Sequence, residues 1–171
     1  MIPHVKIYDN AIIADDIIIE EFAVIGCPAT GECADLVIGL GARIRSHAVI
    51  YNGSRIGDGF HAGHGVMLRE SCNIGENVSI GSHSVIEHHV NIGDRVRVHS
   101  SAFVPEYCVL EDDVWIGPGA ILTNAAYPNS RGAKSNLQGV HVSAGAILGA
   151  GSLVLPGVKI GKKALVGAGA V

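Results

Sequence analysis

Aliphatic side chains recur along this chain at every sixth position. Stepping by six from residue 38 to residue 122 gives fifteen positions, of which fourteen are Ile, Leu or Val and the other is Ala62. The residues four places further on in each hexad are mostly small or β-branched. An α-helix needs a period of about 3.6 and a simple strand a period of about 2, so neither explains a strict six. The pattern predicts a chain that turns a corner every six residues.

Two interruptions divide this frame. Upstream it runs from Ile7 to Ile25 and slips by one residue before Ile38, which we interpret as a bulge near residues 31–37. Downstream, the frame resumes at Val142 with a shift of two, after the non-repetitive residues 128–136. We therefore predict a protruding loop at residues 128–140. Loops on a rigid scaffold commonly carry function, so this loop is a candidate part of a binding site.

Three hexads make one triangular coil of eighteen residues, so the chain holds about eight coils. Coils of this kind stack through parallel strands about 4.8 Å apart. The composition agrees, because the chain has 23 glycines for tight turns and only 5 % aromatic residues. We predict a single all-β domain over residues 1–171, a parallel β-helix with one protruding loop.

Several hexads match the signature of a known repeat. Residues 74–79 read Ile-Gly-Glu-Asn-Val-Ser and residues 92–97 read Ile-Gly-Asp-Arg-Val-Arg. With hexads of this kind along nearly its whole length, the chain resembles the hexapeptide-repeat family of left-handed parallel β-helices. The resemblance implies the left hand, which opposes the usual right-handed crossover of parallel strands. It also implies a homotrimer.

The most specific stretch is residues 110–128, Leu-Glu-Asp-Asp-Val-Trp-Ile-Gly-Pro-Gly-Ala-Ile-Leu-Thr-Asn-Ala-Ala-Tyr-Pro. It resembles a passage of the hexapeptide N-acetyltransferases that act on nucleotide-linked amino sugars. The resemblance implies an enzyme that transfers an acetyl group from acetyl-coenzyme A to an amine or hydroxyl of a small, sugar-type acceptor. Glu106 and Asn124 match polar active-site residues of that group. The family's Arg after Tyr-Pro is displaced to Arg131, and Tyr127 stands where related O-acetyltransferases have a catalytic His.

Residues eighteen apart should lie above one another, which places Asn52, Glu70, His88, Glu106 and Asn124 in one polar ladder. A histidine between two carboxylates is a common arrangement for a general base. We predict that His88 takes the acceptor's proton, that Glu106 orients the imidazole or the acceptor, and that Asn124 holds the acceptor's polar groups by hydrogen bonds. His83 and His99 are the reserve candidates for the base. The bland alternative is a solvated corner of the helix. Cys72 and Cys108 fall on inward positions, so we predict direct transfer without an acyl-enzyme.

The C-terminal coils resemble the family's coenzyme A groove. The resemblance implies that the small residues Gly149, Ala150 and Ala168 admit the pantetheine arm and that Lys162 and Lys163 meet its phosphates. A backbone N–H beside Gly149 would stabilise the oxyanion. The alternative is that small residues are simply what tight coils require.

A rival interpretation starts from the spacing of His47, His83 and His88, which matches the zinc ligands of γ-class carbonic anhydrases. Three histidines with an open fourth position would activate water. The Arg and Asp of that family's Arg-x-Asp pair would fall at Ile25 and Cys27, so this chain lacks both. The acyltransferase interpretation, in contrast, requires no metal. A catalytically dead scaffold subunit is a third class, which would bind neither coenzyme A nor zinc.

Charge and hydropathy exclude other classes. The net charge is −4, with 12 Lys and Arg and no long basic run, which argues against nucleic acid as a partner. The longest uncharged stretch, residues 142–158, is rich in glycine and too short to span a bilayer. The first four residues lead directly into polar sequence without a secretory signal, so we expect a cytoplasmic protein without a membrane partner.

Overall fold

The computed structural model describes residues 4–171, which form short parallel strands, numbered here along the chain, in three sheets of eight. In sheet A the order is β1 (Lys6–Ile7), β4 (Val24–Cys27), β7 (Val49–Tyr51), β10 (Met67–Leu68), β13 (Val85–Ile86), β16 (Phe103–Val104), β19 (Ile121–Leu122) and β22 (Leu153–Val154). In sheet B it is β2 (Ala11–Ile13), β5 (Leu36–Ile38), β8 (Arg55–Ile56), β11 (Asn73–Ile74), β14 (Asn91–Ile92), β17 (Val109–Leu110), β20 (His141–Val142) and β23 (Lys159–Ile160). In sheet C it is β3 (Ile18–Ile19), β6 (Arg43–Ile44), β9 (His61–Ala62), β12 (Ser79–Ile80), β15 (Arg97–Val98), β18 (Trp115–Ile116), β21 (Ile147–Leu148) and β24 (Leu165–Val166).

Each strand pairs in parallel with the strand one coil away, usually eighteen residues along the chain. Met67, for example, pairs with Val85, and Val85 pairs with Phe103. Every coil therefore contributes one strand to each face of a triangular prism. The predicted all-β, left-handed parallel β-helix with eight coils is confirmed.

The aliphatic residues that recur at every sixth position form the core inside the prism. All fifteen frame positions from Ile38 to Leu122 are buried. The positions four residues further on are buried as well, except Ala126, which lies exposed beyond the last strand before the loop. The second residue of most strands points inward and the first points outward, because successive side chains of a strand face opposite sides.

The upstream interruption overlaps the predicted one and begins earlier in the chain. Ile13 pairs with Ile38, a separation of 25 residues, so this coil is seven residues longer than its neighbours. The strand register shifts between Ile25 and Cys27, where Gly26 has a φ of +76°. The extra residues form an irregular segment at 28–35, which overlaps the bulge predicted near residues 31–37 but starts earlier and ends where β5 begins at Leu36.

The downstream interruption lengthens the chain between β19 and β20. Val109 pairs with His141, 32 residues along, so this coil is fourteen residues longer than the standard one. The additional segment contains one short 3₁₀ helix, Ala133–Asn136. Within residues 4–171 no helix is long and apolar enough to cross a membrane. Residues 1–3 of the predicted domain lie outside the described part of the chain.

Glycine occupies the second place of several hexads where the backbone of the next coil leaves no room for a side chain. A Cβ on Gly75 would lie 2.7 Å from the carbonyl carbon of Gly93 in the next coil, and backbone at that distance cannot give way cheaply. Gly161 holds the same place in the last coil of the chain, and a Cβ there would meet nothing within 4 Å. The two positions therefore differ only in the backbone stacked on them.

We expect Gly75→Ala to lower the free energy of unfolding by about 1–3 kcal/mol, the usual cost of overpacking. Gly161→Ala should change it by less than about 0.5 kcal/mol, as for an unobstructed surface position. Urea denaturation followed by circular dichroism measures both. Equal stability of the two variants would contradict the stacking argument.

Candidate active site

A polar ladder lines the corner where the chain leaves sheet A for sheet B. Each member stands two residues after the inward residue of a sheet-A strand, and these strands pair in register, Leu68 with Ile86 and Ile86 with Val104. The structure therefore stacks the five side chains as their spacing predicted: Asn52, Glu70, His88, Glu106 and Asn124.

Glu106 connects the upper half of this ladder. The Asn124 Nδ2 donates to Glu106 Oε2 at 2.5 Å and to the Glu106 carbonyl oxygen at 3.3 Å. The other carboxylate oxygen, Oε1, lies 3.6 Å from His88 Nε2. Asn124 is 9 % exposed, whereas the side chains of His88 and Glu106 are about a quarter exposed, at 25 % and 24 %. The imidazole of His88 and the carboxylate of Glu106 are thus both partly exposed to solvent, next to the nearly buried amide of Asn124.

Two aromatic neighbours hold the His88 ring. His88 Nδ1 lies 2.8 Å from His89 Nδ1, and the Tyr107 ring meets His88 edge-on with centroids 6.0 Å apart. Sequence reasoning missed both residues. Each directly follows a member of the ladder and has a positive φ, 58° for His89 and 66° for Tyr107, which marks the corner turn. A large ring at a turn next to a ladder residue was the available signal.

The second carboxylate expected beside His88 is engaged elsewhere. Glu70 accepts two hydrogen bonds from Arg69, at 2.8 Å and 3.0 Å. Burial by itself would raise the pKa of Glu70, but the hydrogen bond from Arg69, a backbone hydrogen bond and the charges of Arg69 and His88 together lower it below its usual value. Within residues 4–171, His88 forms an ion-pair contact with Glu106 and with no second carboxylate. Glu106 is thus the partner that can act with this histidine.

The ladder ends at a cavity beneath the long loop. The Gln138 backbone N–H donates to the Asn124 carbonyl at 2.8 Å, which ties the return of the loop to the ladder. The cavity has a volume of about 260 Å³, and its lining carries no charged side chain. Its walls combine neutral polar groups with small apolar ones: Asn124, Ala125, Ala126, Tyr127, Ser130, Ala133, Asn136, Gln138 and Pro156. Asn124 alone belongs to both ladder and cavity.

The residues predicted to bind coenzyme A lie at other corners. Gly149, Ala150 and Ala168 stand at the corner after sheet C, where a Cβ on Gly149 would lie 2.4 Å from the Ala168 nitrogen. Lys162 and Lys163 are exposed at the corner between sheets B and C. One subunit therefore does not bring either group to the His88 ladder.

The oxyanion donor predicted beside Gly149 is not the Gly149 amide itself. That N–H donates to the Val166 carbonyl at 2.9 Å, within the ladder of sheet C. A backbone group engaged in strand pairing cannot also meet a substrate oxygen without breaking that bond.

The inward cysteines are poor nucleophiles. Cys72 and Cys108 are buried, and burial raises the pKa of each thiol to about 12. Because the thiolate is the reactive form, neither side chain is suited to accept an acyl group near neutral pH. Their inward placement agrees with the sequence frame.

The histidines of the zinc interpretation do not converge within one chain. The His47 ring stacks on Phe22 with centroids 5.1 Å apart, and both His47 and His83 occupy positive-φ turns between sheets C and A. His88 stands at the next corner of the prism. In the part of the chain that the structure describes, no three His, Cys, Asp or Glu side chains are grouped to hold a metal ion.

A family model matches the middle of the chain. Two overlapping segments, residues 53–88 and 71–106, match the family model described as bacterial transferase hexapeptide (six repeats). The matched segments contain His88 and Glu106 of the ladder. These matches cover residues 53–106, about a third of the chain, and over them the chain carries the hexapeptide repeat that the sequence resemblance implied.

Solved structures with the same fold are acyltransferases. The Francisella novicida UDP-N-acetylglucosamine acyltransferase matches 98 % of this chain and 60 % of its own length, with a TM-score of 0.82 and 18 % identity. The UDP-N-acetylglucosamine acyltransferase of Campylobacter jejuni matches 88 % of this chain and 65 % of its own, with a TM-score of 0.56 and 17 % identity.

A third structure contains CoA together with a nucleotide sugar. It is a histidine-to-alanine mutant of GDP-perosamine N-acetyl transferase from Caulobacter crescentus, in complex with CoA and GDP-perosamine. It matches 69 % of this chain and 53 % of its own, with a TM-score of 0.56 and 18 % identity. This chain thus spans between half and two thirds of the length of the three structures, and the likeness is one of fold. No curated protein sequence matches the chain.

Proposed function

We propose that this protein is an acyltransferase that moves an acetyl group from coenzyme A to an amine or hydroxyl of a small, sugar-type acceptor. The observation that carries the proposal is the connected array of His88, Glu106 and Asn124, which ends at the loop cavity. The acyltransferases that share the fold support it, and so does the complex of one of them with CoA and GDP-perosamine.

The array suits direct attack on the thioester. The 3.6 Å between His88 Nε2 and Glu106 Oε1 is too long for a hydrogen bond, so an acceptor N–H or O–H can contact both groups. His88 takes a proton from the acceptor while the acceptor's nitrogen or oxygen bonds to the carbonyl carbon of the thioester. The carbon–sulfur bond then breaks, and the thiol of coenzyme A leaves with a proton. The high pKa of the buried cysteines disfavours an acyl-enzyme.

The neutral lining of the loop cavity suits a sugar ring. Its amide and hydroxyl groups can hydrogen-bond to sugar hydroxyls, while its alanines and Pro156 can contact the apolar face of a ring. Asn124 would hold the acceptor at the end of the ladder. We therefore propose that the cavity takes the uncharged part of the acceptor.

The donor requires a second subunit. Gly149, Ala150 and Ala168 line one corner of the prism and Lys162 and Lys163 another, whereas His88 lies at the third. Coenzyme A held by those residues reaches a His88 ladder only if the corner of a neighbouring copy lies against it. We accordingly propose a homotrimer with the active site between subunits.

Sheet A offers the apolar surface that such an assembly needs. Its outward row is hydrophobic from Val24 to Leu153, and Phe103 and Ile121 are 37 % and 42 % exposed. The outward row of sheet B is polar over the middle coils, with Arg55, Asn73 and Asn91. Contiguous exposed apolar surface commonly marks a protein interface.

His88→Ala should lower kcat at least about a hundredfold, because removing a general base typically costs about 10²–10⁴ in rate. The affinity for acetyl-coenzyme A should change little. Steady-state assays with amino-sugar and hydroxyl acceptors measure both values, and His83→Ala serves as the matched histidine variant. Full activity of His88→Ala beside an inactive His83→Ala would show that the wrong histidine was assigned. If the acceptor is an amine that binds in its neutral form, the base matters less, and Asn124→Ala should then lower kcat more than His88→Ala does.

Calorimetry separates the three functional classes. We expect acetyl-coenzyme A to bind to the protein. Zinc should bind to the wild-type protein no more tightly than to a variant that lacks His47, His83 and His88. Tight zinc binding with bicarbonate dehydration and no coenzyme A binding would favour the carbonic anhydrase interpretation. Binding of neither ligand would favour a scaffold.

Introducing a charge on sheet A should dissociate the trimer. We expect Phe103→Glu to shift the mass in solution from three chains towards one, because a buried unpaired carboxylate opposes association. Asn91→Glu, which adds the same charge to sheet B, should leave the mass unchanged. Light scattering after size-exclusion chromatography measures the mass. A monomeric wild-type protein would refute the assembly and the shared site together.

A further inference from the structure

Sheet C carries a basic trough that the proposed acyl transfer does not use. The trough has a volume of about 740 Å³ and spans coils two to five on the outer face of the sheet. Two parallel rows of residues form it. One row is Arg43, His61, Ser79 and Arg97, and the other is Arg45, Gly63, Gly81 and His99.

The two glycines hollow the middle of the trough. A Cβ on Gly63 would lie 2.5 Å from the Ser82 nitrogen, and one on Gly81 would lie 2.4 Å from the Ser100 nitrogen. Coil stacking therefore excludes side chains at the centre, while Arg45 and His99 rise at the two ends of the same row. The result is a depression with cationic ends.

Two of the three arginines that line this trough, Arg43 and Arg97, have no carboxylate partner among residues 4–171. The chain as a whole has 16 acidic and 12 basic side chains, yet no carboxylate lines the trough. Arg45 is bound to Glu20, as Arg69 is to Glu70 and Arg95 to Asp113. Across residues 4–171, no carboxylate forms an ion pair with Arg43 or Arg97, and the nearest polar contact of Arg97 is Ser79 Oγ at 3.5 Å.

Arg43 and Arg97 stand three strands apart, which is about 14 Å at the strand spacing of a parallel sheet. Both line the same cavity, so a ligand that lies along the trough can contact both side chains. Guanidinium groups match the geometry of phosphate oxygens and bind them through paired hydrogen bonds. His61 and Ser79, between the arginines, add further donors.

An aromatic surface adjoins the trough. Trp115 pairs in register with Arg97 and lies against the His99 ring, with centroids 4.4 Å apart. A cationic trough beside an aromatic platform suits a diphosphate that carries a planar ring. It is also a natural reporter, because Trp115 is the only tryptophan of the chain.

We propose that the sheet-C trough binds the diphosphate group of a small molecule, with Arg43 and Arg97 as its main contacts. This binding does not rest on the proposed acyl transfer, since His88 and the loop cavity lie at a different corner. A diphosphate occurs in nucleoside diphosphates and in coenzyme A, and the experiment distinguishes these sources.

The test is calorimetric titration of the full chain with inorganic pyrophosphate, ADP, AMP and coenzyme A, with Trp115 fluorescence as a second readout. We expect pyrophosphate and ADP to bind and Arg43→Ala/Arg97→Ala to weaken both at least about tenfold, since hydrogen bonds to charged groups are lost. Arg55→Ala removes the same charge from sheet B and should change the affinity less than about threefold. ADP should quench Trp115, and AMP should bind more weakly than ADP.

The comparison of ligands identifies the source. Tighter binding of ADP than of coenzyme A supports a nucleoside diphosphate, and the reverse order supports the acyl donor. Absence of binding by all four ligands at millimolar concentration would overturn the proposal. So would an equal loss in Arg55→Ala, which would indicate an adventitious ion only. Loss of the oligomer without any ligand binding would show instead that the arginines contact a neighbouring copy.

Discussion

The structure depends on the hydrogen bonds between one coil and the next. Each coil repeats the backbone conformation of the coil below, so a strand in any sheet pairs with the residue eighteen places along the chain. A sheet of this kind has no room for a coil of different shape. Extra residues must therefore leave the prism, as they do at residues 28–35 and between β19 and β20.

This repetition turns positions in the sequence into lines on the surface. Aspartates illustrate it on one edge, where the Asp58 carboxylate accepts from the Leu40 N–H, the Asp94 carboxylate from the Glu76 N–H and the Asp112 carboxylate from the Asp94 N–H. Each side chain satisfies a corner amide of the coil below it. The same register aligns His88 under Glu106 and Glu106 under Asn124. The proposed catalytic ladder and this structural ladder thus arise from one rule, and only the residue types distinguish them.

The prism also separates functions in space. The His88 ladder, the small residues of the C-terminal coils and the lysine pair each occupy a different corner. The apolar outward row lies on sheet A and the uncompensated arginines lie on sheet C. A rigid triangular rod cannot bring its own corners together. Combining them requires association of several rods, and this is the physical reason for the proposed site between subunits.

The sequence by itself determined the coil, the core and the ladder. A six-residue period of aliphatic side chains admits one way to bury them all, and the eighteen-residue spacing then orders the polar residues. Only the tertiary structure decided which neighbours those residues meet. Glu70 turned to Arg69 rather than to His88, His89 and Tyr107 folded over the imidazole, and the amide of Gly149 was taken by strand pairing. The strand register already shifted at Gly26, before the predicted bulge, because a count of residues shows that a segment is inserted but not where the strand pairing first changes. Side-chain partners and local detours depend on short-range geometry at each corner, and a repeat pattern does not contain that information.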